Sequence, residues 1–271
     1  MGAKFVKSVS TAYRSLGEAE LPEPEFQAFA LQNLFVGQYG ILANDDKRKL
    51  CAVRSVEWSL KPREVEQHEW YTPPILSPDH SPTKPFNFDI YPDCQFWLCD
   101  KILNADYRES INVMVHCKAL GTFCPYFSIE FKATTDNTRT VVNQVATAGS
   151  MSLFNRYQLK LSVHDGHTPE QLDLNFVQHF GLTMEKENWT VWLFKPKVAD
   201  QTWAGCHVRN LAGGNCRTEQ GVRRLISWIN EIHRWGLCEY ALQCEDDIKR
   251  ILNRGGKMRI SAMGSSTAPM R

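Results

Sequence analysis

The sequence predicts an α/β domain of the α+β kind, with helices packed on a β-sheet, and three stretches carry that expectation. Residues 125–133, PYFSIEFKA, alternate their side chains with the period of a strand. Residues 86–99, FNFDIYPDCQFWLC, are aromatic and alternating, which suits a strand entered through a turn at Pro92. Residues 218–237, TEQGVRRLISWINEIHRWGL, set Val222, Leu225, Ile226, Ile229 and Ile232 on one apolar stripe, as in a helix docked on a sheet.

Residues 22–39 open with Pro-Glu-Pro-Glu and continue with Phe26, Phe29, Ala30 and Leu34, which predicts the start of an amphipathic helix. Five prolines between Thr72 and Pro85 predict an extended loop. Residues 112–118, NVMVHCK, fit a short strand or a helical turn equally. After the strand at 125–133 and the polar TTDNTRT, residues Val142, Val145, Ala146, Gly149 and Leu153 recur at helical spacing. Residues 175–181 and MEKENWTVWLFKP predict antiparallel strands turning at Asn188. The glycine-rich NLAGGNC is expected to end that pattern, and a shorter helix around Cys244–Leu252 to close the domain. The resulting division is an N-terminal extension over 1–19, one domain over 20–254 and a mobile tail over 255–271.

A chain of 271 residues, 43% hydrophobic, can bury a large core. Lys and Arg number 31 against 30 Asp and Glu, a net charge of +1, so contact with a polyanion would have to come from a local patch. No stretch approaches the roughly 18 apolar residues of a membrane span, and the expectation is an intracellular protein, cytoplasmic or nuclear, without a membrane partner. The nine cysteines are scattered and form no Cys-x-x-Cys pair, which points to free thiols. Neither Cys206-His207 nor His164-Asp165-Gly166-His167 has a second cluster at zinc spacing.

The chemistry gathers at Glu130 and Lys132. Period-two alternation projects both to one face of their strand while Ile129 and Phe131 project to the other. An acid on a strand built for burial requires a partner or a cation. Asp93, just after Pro92 at the mouth of the aromatic strand, and Gln144, on the helix that follows Glu130, complete an order that suits phosphodiester hydrolysis. Two carboxylates suit a hard divalent cation, which polarises a phosphoryl oxygen and activates water. The Lys132 ammonium would neutralise developing charge, and Gln144 would hydrogen-bond a water or a phosphate oxygen.

On Pro92-Asp93, Glu130-Phe131-Lys132 and Gln144 the sequence resembles the PD-(D/E)XK nuclease superfamily. CPYFSIEFK, NQVATAG and WINEIHRWGL resemble more narrowly a group of uncharacterised nuclease-like domains of filamentous fungi. The resemblance spans about residues 20–252. It implies a restriction-endonuclease-like core, a central mixed four-stranded sheet flanked by helices, with Mg²⁺ or Mn²⁺ held at the sheet edge by Asp93 and Glu130. It also implies an additional glutamate from the first helix, Glu23 or Glu25. Asp89 and Asp100 are the substitutes for Asp93.

Arg223 and Arg224, on the 218–237 helix, are candidate phosphate contacts if they share a face with Glu130. His116, His179 and His233 sit in apolar contexts that suit structural roles, and Trp189, Trp192, Trp228 and Trp235 fall on apolar periodicities that suit packing. The expected activity is metal-dependent hydrolysis of nucleic acid, DNA before RNA. The alternatives are a binding module of the same fold without cleavage, or an enzyme acting on a small molecule in a pocket lined by Tyr91, Phe96, Trp97, Tyr126 and Phe127.

Overall fold

The computed structural model describes residues 2–35, 52–61, 71–74, 89–108, 111, 114–115, 117–118, 121–132, 138–163, 173–200 and 202–264, without the side chains of 117–118, 138 and 255–264. The expected loop over 75–85, the start of the aromatic strand at 86–88, His116 and the 164–167 run lie outside these residues.

Helices α1 (Ala3–Glu18) and α2 (Glu23–Asn33) precede strands β1 (Ala52–Val56) and β2 (Cys94–Cys99). A 3-10 turn at Asp100–Ile102, the short α3 (Ala105–Arg108) and the two-residue β3 (Cys117–Lys118) lead into β4 (Thr122–Lys132). Helix α4 (Thr138–Val163) crosses to β5 (His179–Glu185), followed by β6 (Asn188–Ala199) and β7 (Thr202–Asn215). Helix α5 (Glu219–Trp235) continues through a π-helical turn at Gly236–Tyr240 into α6 (Ala241–Gly264). The protein is therefore α+β, with a mixed sheet ordered β1-β2-β4-β5-β6-β7 and β3 added beside β4. β4 and β5 run parallel, and the other pairings are antiparallel. The sheet is wider than the four strands expected.

The two faces of the sheet are covered differently. Phe127, Ile129 and Phe131 of β4 join Val222, Leu225, Ile229 and Ile232 of α5 in the main core. The alternate residues face α4: Gln95 of β2 donates to Ser128 of β4 and to Ser152 of α4. Period-two alternation thus separates an apolar face under α5 from a face with buried polar groups under α4. His179 bonds Ser128 and His233 bonds Tyr126, so both act structurally. Burial lowers His179 to about 3 and His233 to about 4, which keeps both rings neutral.

Three expectations are corrected. Residues 1–19 are no appendage, because Val6, Val9 and Tyr13 of α1 are buried in the same core as α5. NLAGGNC does not end the strand pattern but lies in β7. Its glycines answer a close contact, since a Cβ on Gly214 would stand 2.6 Å from the Trp189 ring on the neighbouring strand. The last helix starts earlier and runs on to Gly264, through the segment expected as tail, because the π-helical turn joins it to α5 without a break. Among the described residues no helix is long and apolar enough to cross a membrane.

Candidate active site

Asp93 precedes the first residue of β2, and Glu130 and Lys132 lie at the C-terminal end of β4, its antiparallel neighbour. Cys94 pairs with Ile129, so the pairing brings Asp93 beside the last turn of the pleat in β4. There the amide N–H of Phe131 donates to Asp93 Oδ2 at 2.7 Å. The Asp93 side chain thereby continues the β2–β4 ladder one step past the backbone, which fixes its carboxylate next to Glu130.

Glu130 is 3% exposed, and its carboxyl is hydrogen-bonded to that of Asp93. Burial first, then the Asp93 charge and the shared hydrogen bond, push Glu130 up to about 9, against a smaller downward pull from Lys132. Burial also raises Asp93, opposed by the Phe131 N–H and by Lys132. Glu130 therefore keeps its proton near neutrality and shares it with Asp93. Across the parallel pairing Glu130 stands beside Thr183, whose hydroxyl accepts from Trp192 Nε1 at 3.2 Å.

Lys132 Nζ donates to Glu23 Oε1 at 3.2 Å, with both side chains partly accessible. Glu23 is the first residue of α2, and helix phase brings it to Lys132 while Glu25 is exposed. Glu25, expected as an additional metal ligand, makes no contact with this cluster. Asp93, not its substitutes, meets Glu130. Asp89 accepts instead from Ser59 and Tyr91, and Asp100 stands at the other end of β2.

Gln144 is exposed on α4 between the buried Val141 and Val145, and touches neither acid. Arg223 and Arg224 lie on α5, across the sheet from Glu130, so their expected phosphate role at this site is corrected. Arg223 pairs with Glu219, and Arg224 sits over the Trp189 ring. Phe96, Trp97, Tyr126 and Phe127 are 0% exposed and pack into the interior, so they do not line an open aromatic pocket. Only Tyr91 of that group is exposed.

Sequence reasoning missed the polar line behind the acids. Ser128 and Gln95 lie two residues from Glu130 and Asp93 on the same face and bond each other at 2.8 Å. The period-two rule applied to Glu130 would have found Ser128. No family model, curated protein or solved structure matches the chain.

Proposed function

We propose that the protein is a divalent-metal-dependent phosphodiesterase of the PD-(D/E)XK type that hydrolyses nucleic acid. The observation that carries this reading is the contact between the half-buried carboxyl of Asp93 and the buried carboxyl of Glu130, with Lys132 two residues on along the same strand face. The order α2-β1-β2-β4-α4-β5, in which an antiparallel set is followed by a helix and a parallel strand, supports a restriction-endonuclease-like core. β6 and β7 extend that core.

The residues suit Mg²⁺ or Mn²⁺. Two adjacent carboxyls, that of Glu130 buried, repel each other when both ionise, and a hard cation would offset that repulsion. Among the described residues no three His, Cys, Asp or Glu side chains gather into a metal cage. Two carboxylates with water and substrate oxygens still meet the ordinary preference of Mg²⁺. The bound cation would polarise the phosphoryl oxygen and lower the pKa of a water. The chain's own groups then have distinct tasks. The Phe131 N–H orients Asp93, Asp93 and Glu130 would hold the cation once the Glu130 proton is lost to solvent, and Lys132 would offset charge on the phosphate in the transition state. Glu23 aims the Lys132 ammonium.

Cleavage of plasmid and single-stranded DNA in Mg²⁺ or Mn²⁺ tests the reading, with Glu130→Gln and Asp93→Asn as controls. Activity in wild type that falls at least about a hundredfold in both variants supports it, on the scale of losing a charge-stabilising group. Intact substrates with active-pH wild type in either metal contradict it.

A second reading is a binding module of this fold that does not cut. It is favoured by the ion pair that already occupies Lys132 and by the proton that already satisfies the two acids. In that case the carboxyl pair closes the β2–β4 ladder as a structural hydrogen bond.

A further inference from the structure

Among the described residues, helix α5 covers the proximal part of the β6–β7 hairpin and leaves the distal part of that face exposed. Trp203 and Phe194 turn the other way and pack with Phe154, Tyr157 and Leu153 of α4. On the open face, Lys195 stands directly across from His207, and Arg209 across from Leu193. Lys197 follows two residues beyond Lys195 on the same side. Lys195, Lys197, His207 and Arg209 are all exposed.

Several other surface cations are already paired. Arg217, Arg223, Arg234, Lys249 and Arg250 each have a carboxylate within 4.0 Å. Among the described residues, Lys195, Lys197 and Arg209 have none. Between residues 188 and 210 the sole acid is Asp200, at the hairpin turn. The hairpin is therefore locally rich in positive charge in a chain whose net charge is only +1.

We propose that this open hairpin face binds the phosphate backbone of duplex nucleic acid, as a docking surface separate from the carboxylate pair. Alternate residues on a strand are about 6.7 Å apart and neighbouring strands about 4.8 Å apart, so the three cations form a compact anion-facing grid. Duplex is favoured over single strand because, among the described residues, the face offers no tryptophan, tyrosine or phenylalanine ring for base stacking. Trp189, Phe194 and Trp203 are buried, and Trp192 is turned toward Thr183. Among the described residues the face carries no exposed large apolar side chain, since the 43%-exposed Val208 pairs with Phe194 and lies on the other face, which argues against a lipid surface.

The surface is distant from the acids. Thr190 is level with Glu130 through Thr183, and Lys195 lies five residues further along β6, roughly 17 Å at strand rise, on the opposite side of the sheet. A duplex held there uses contacts independent of hydrolysis, so it can be tested without it.

The test is fluorescence anisotropy of a labelled 30-base-pair duplex (about 100 Å at 3.4 Å per pair) with Glu130→Gln protein in EDTA, over a series of salt concentrations. The same protein carrying Lys195→Gln, Lys197→Gln and Arg209→Gln is compared with one carrying Arg223→Gln, Arg234→Gln and Arg250→Gln, which removes equal charge from paired sites. Thermal melts verify that each set folds; if the first set does not, the single variants Lys195→Gln and Arg209→Gln replace it. Loss of the three contacts should lower the slope of log K against log salt by about 2.7, at about 0.9 per phosphate contact. Duplex affinity should fall at least about tenfold at moderate salt, while the control set keeps the slope of the parent. An unchanged slope in the first set, an equal loss in the control set, or tighter binding to a single strand or to phosphatidylserine vesicles would overturn the proposal. Because no step depends on cleavage, a failed cleavage assay leaves this result standing, and the reverse also holds.

Discussion

Asp93 Oδ2 accepts the amide N–H of Phe131 at 2.7 Å, and this bond holds the Asp93 carboxylate against that of Glu130. A side chain in the place of a ladder carbonyl gives the pair its geometry without a dedicated loop. The arrangement turns a strand end into a site where one proton is shared by two acids.

Glu130 makes stability depend on pH. Its folded value of about 9 lies above its ordinary 4.5, so between those pH values the folded protein holds a proton that the unfolded chain has released. The contribution is full below about 4.5 and is lost as pH rises toward about 9, with a slope near 1.4 kcal/mol per pH unit for one proton. Thermal melts from pH 5 to 9 should show a falling midpoint in wild type. Glu130→Gln, which cannot ionise, should flatten that fall.

Lys132 and Glu23 separate chemistry from positioning. Lys132→Met should reduce cleavage by about 10²–10³ while leaving Mn²⁺ binding in place, because it removes a charge facing the phosphate and no ligand. Glu23→Gln should reduce cleavage by less than about tenfold, since the ion pair it forms is partly exposed and contributes little by itself. Steady-state rates at saturating metal, beside calorimetric Mn²⁺ titrations of both variants, check this order.

Much of this site was legible because strand periodicity is local. Glu130 and Lys132 follow from alternation alone, and Asp93 from its place after Pro92 at the start of an aromatic strand. Helix phase at the start of α2, and with it Glu23 over Glu25, depends on where Lys132 reaches in space. Which face of the sheet α5 covers is also a tertiary fact, and it is what carries Arg223 and Arg224 away from the acids. The glycines of β7 read as breakers because the Trp189 ring they accommodate lies on another strand. The early start of the last helix was hidden for a related reason: Gly236 opens a π-helical turn under Tyr126 that joins it to α5.

Gly181 of β5 shows the same constraint on the α4 face. A Cβ there would stand 2.8 Å from both the Phe194 ring and Val145. Gly181→Ala should destabilise the protein by about 1–3 kcal/mol through overpacking, read as a shift in the urea midpoint with an unchanged m-value.

A buried ion cluster joins α4 to α6. Asp247, 0% exposed, accepts from Arg156 at 2.6 Å and from Lys160 at 2.9 Å. Asp247→Asn strands two cations in the interior and should cost about 3–5 kcal/mol, measured by equilibrium unfolding. Asp247→Asn with Arg156→Met and Lys160→Met should recover part of that loss.

The most direct test of the central claim is calorimetric titration of Mn²⁺ into wild type and Glu130→Gln at pH 8. The account predicts one Mn²⁺ site in wild type, proton release on binding as Glu130 is displaced from its shared proton, and loss of both in the variant. Absence of Mn²⁺ binding by the wild type, or binding that Glu130→Gln leaves unchanged, would contradict it.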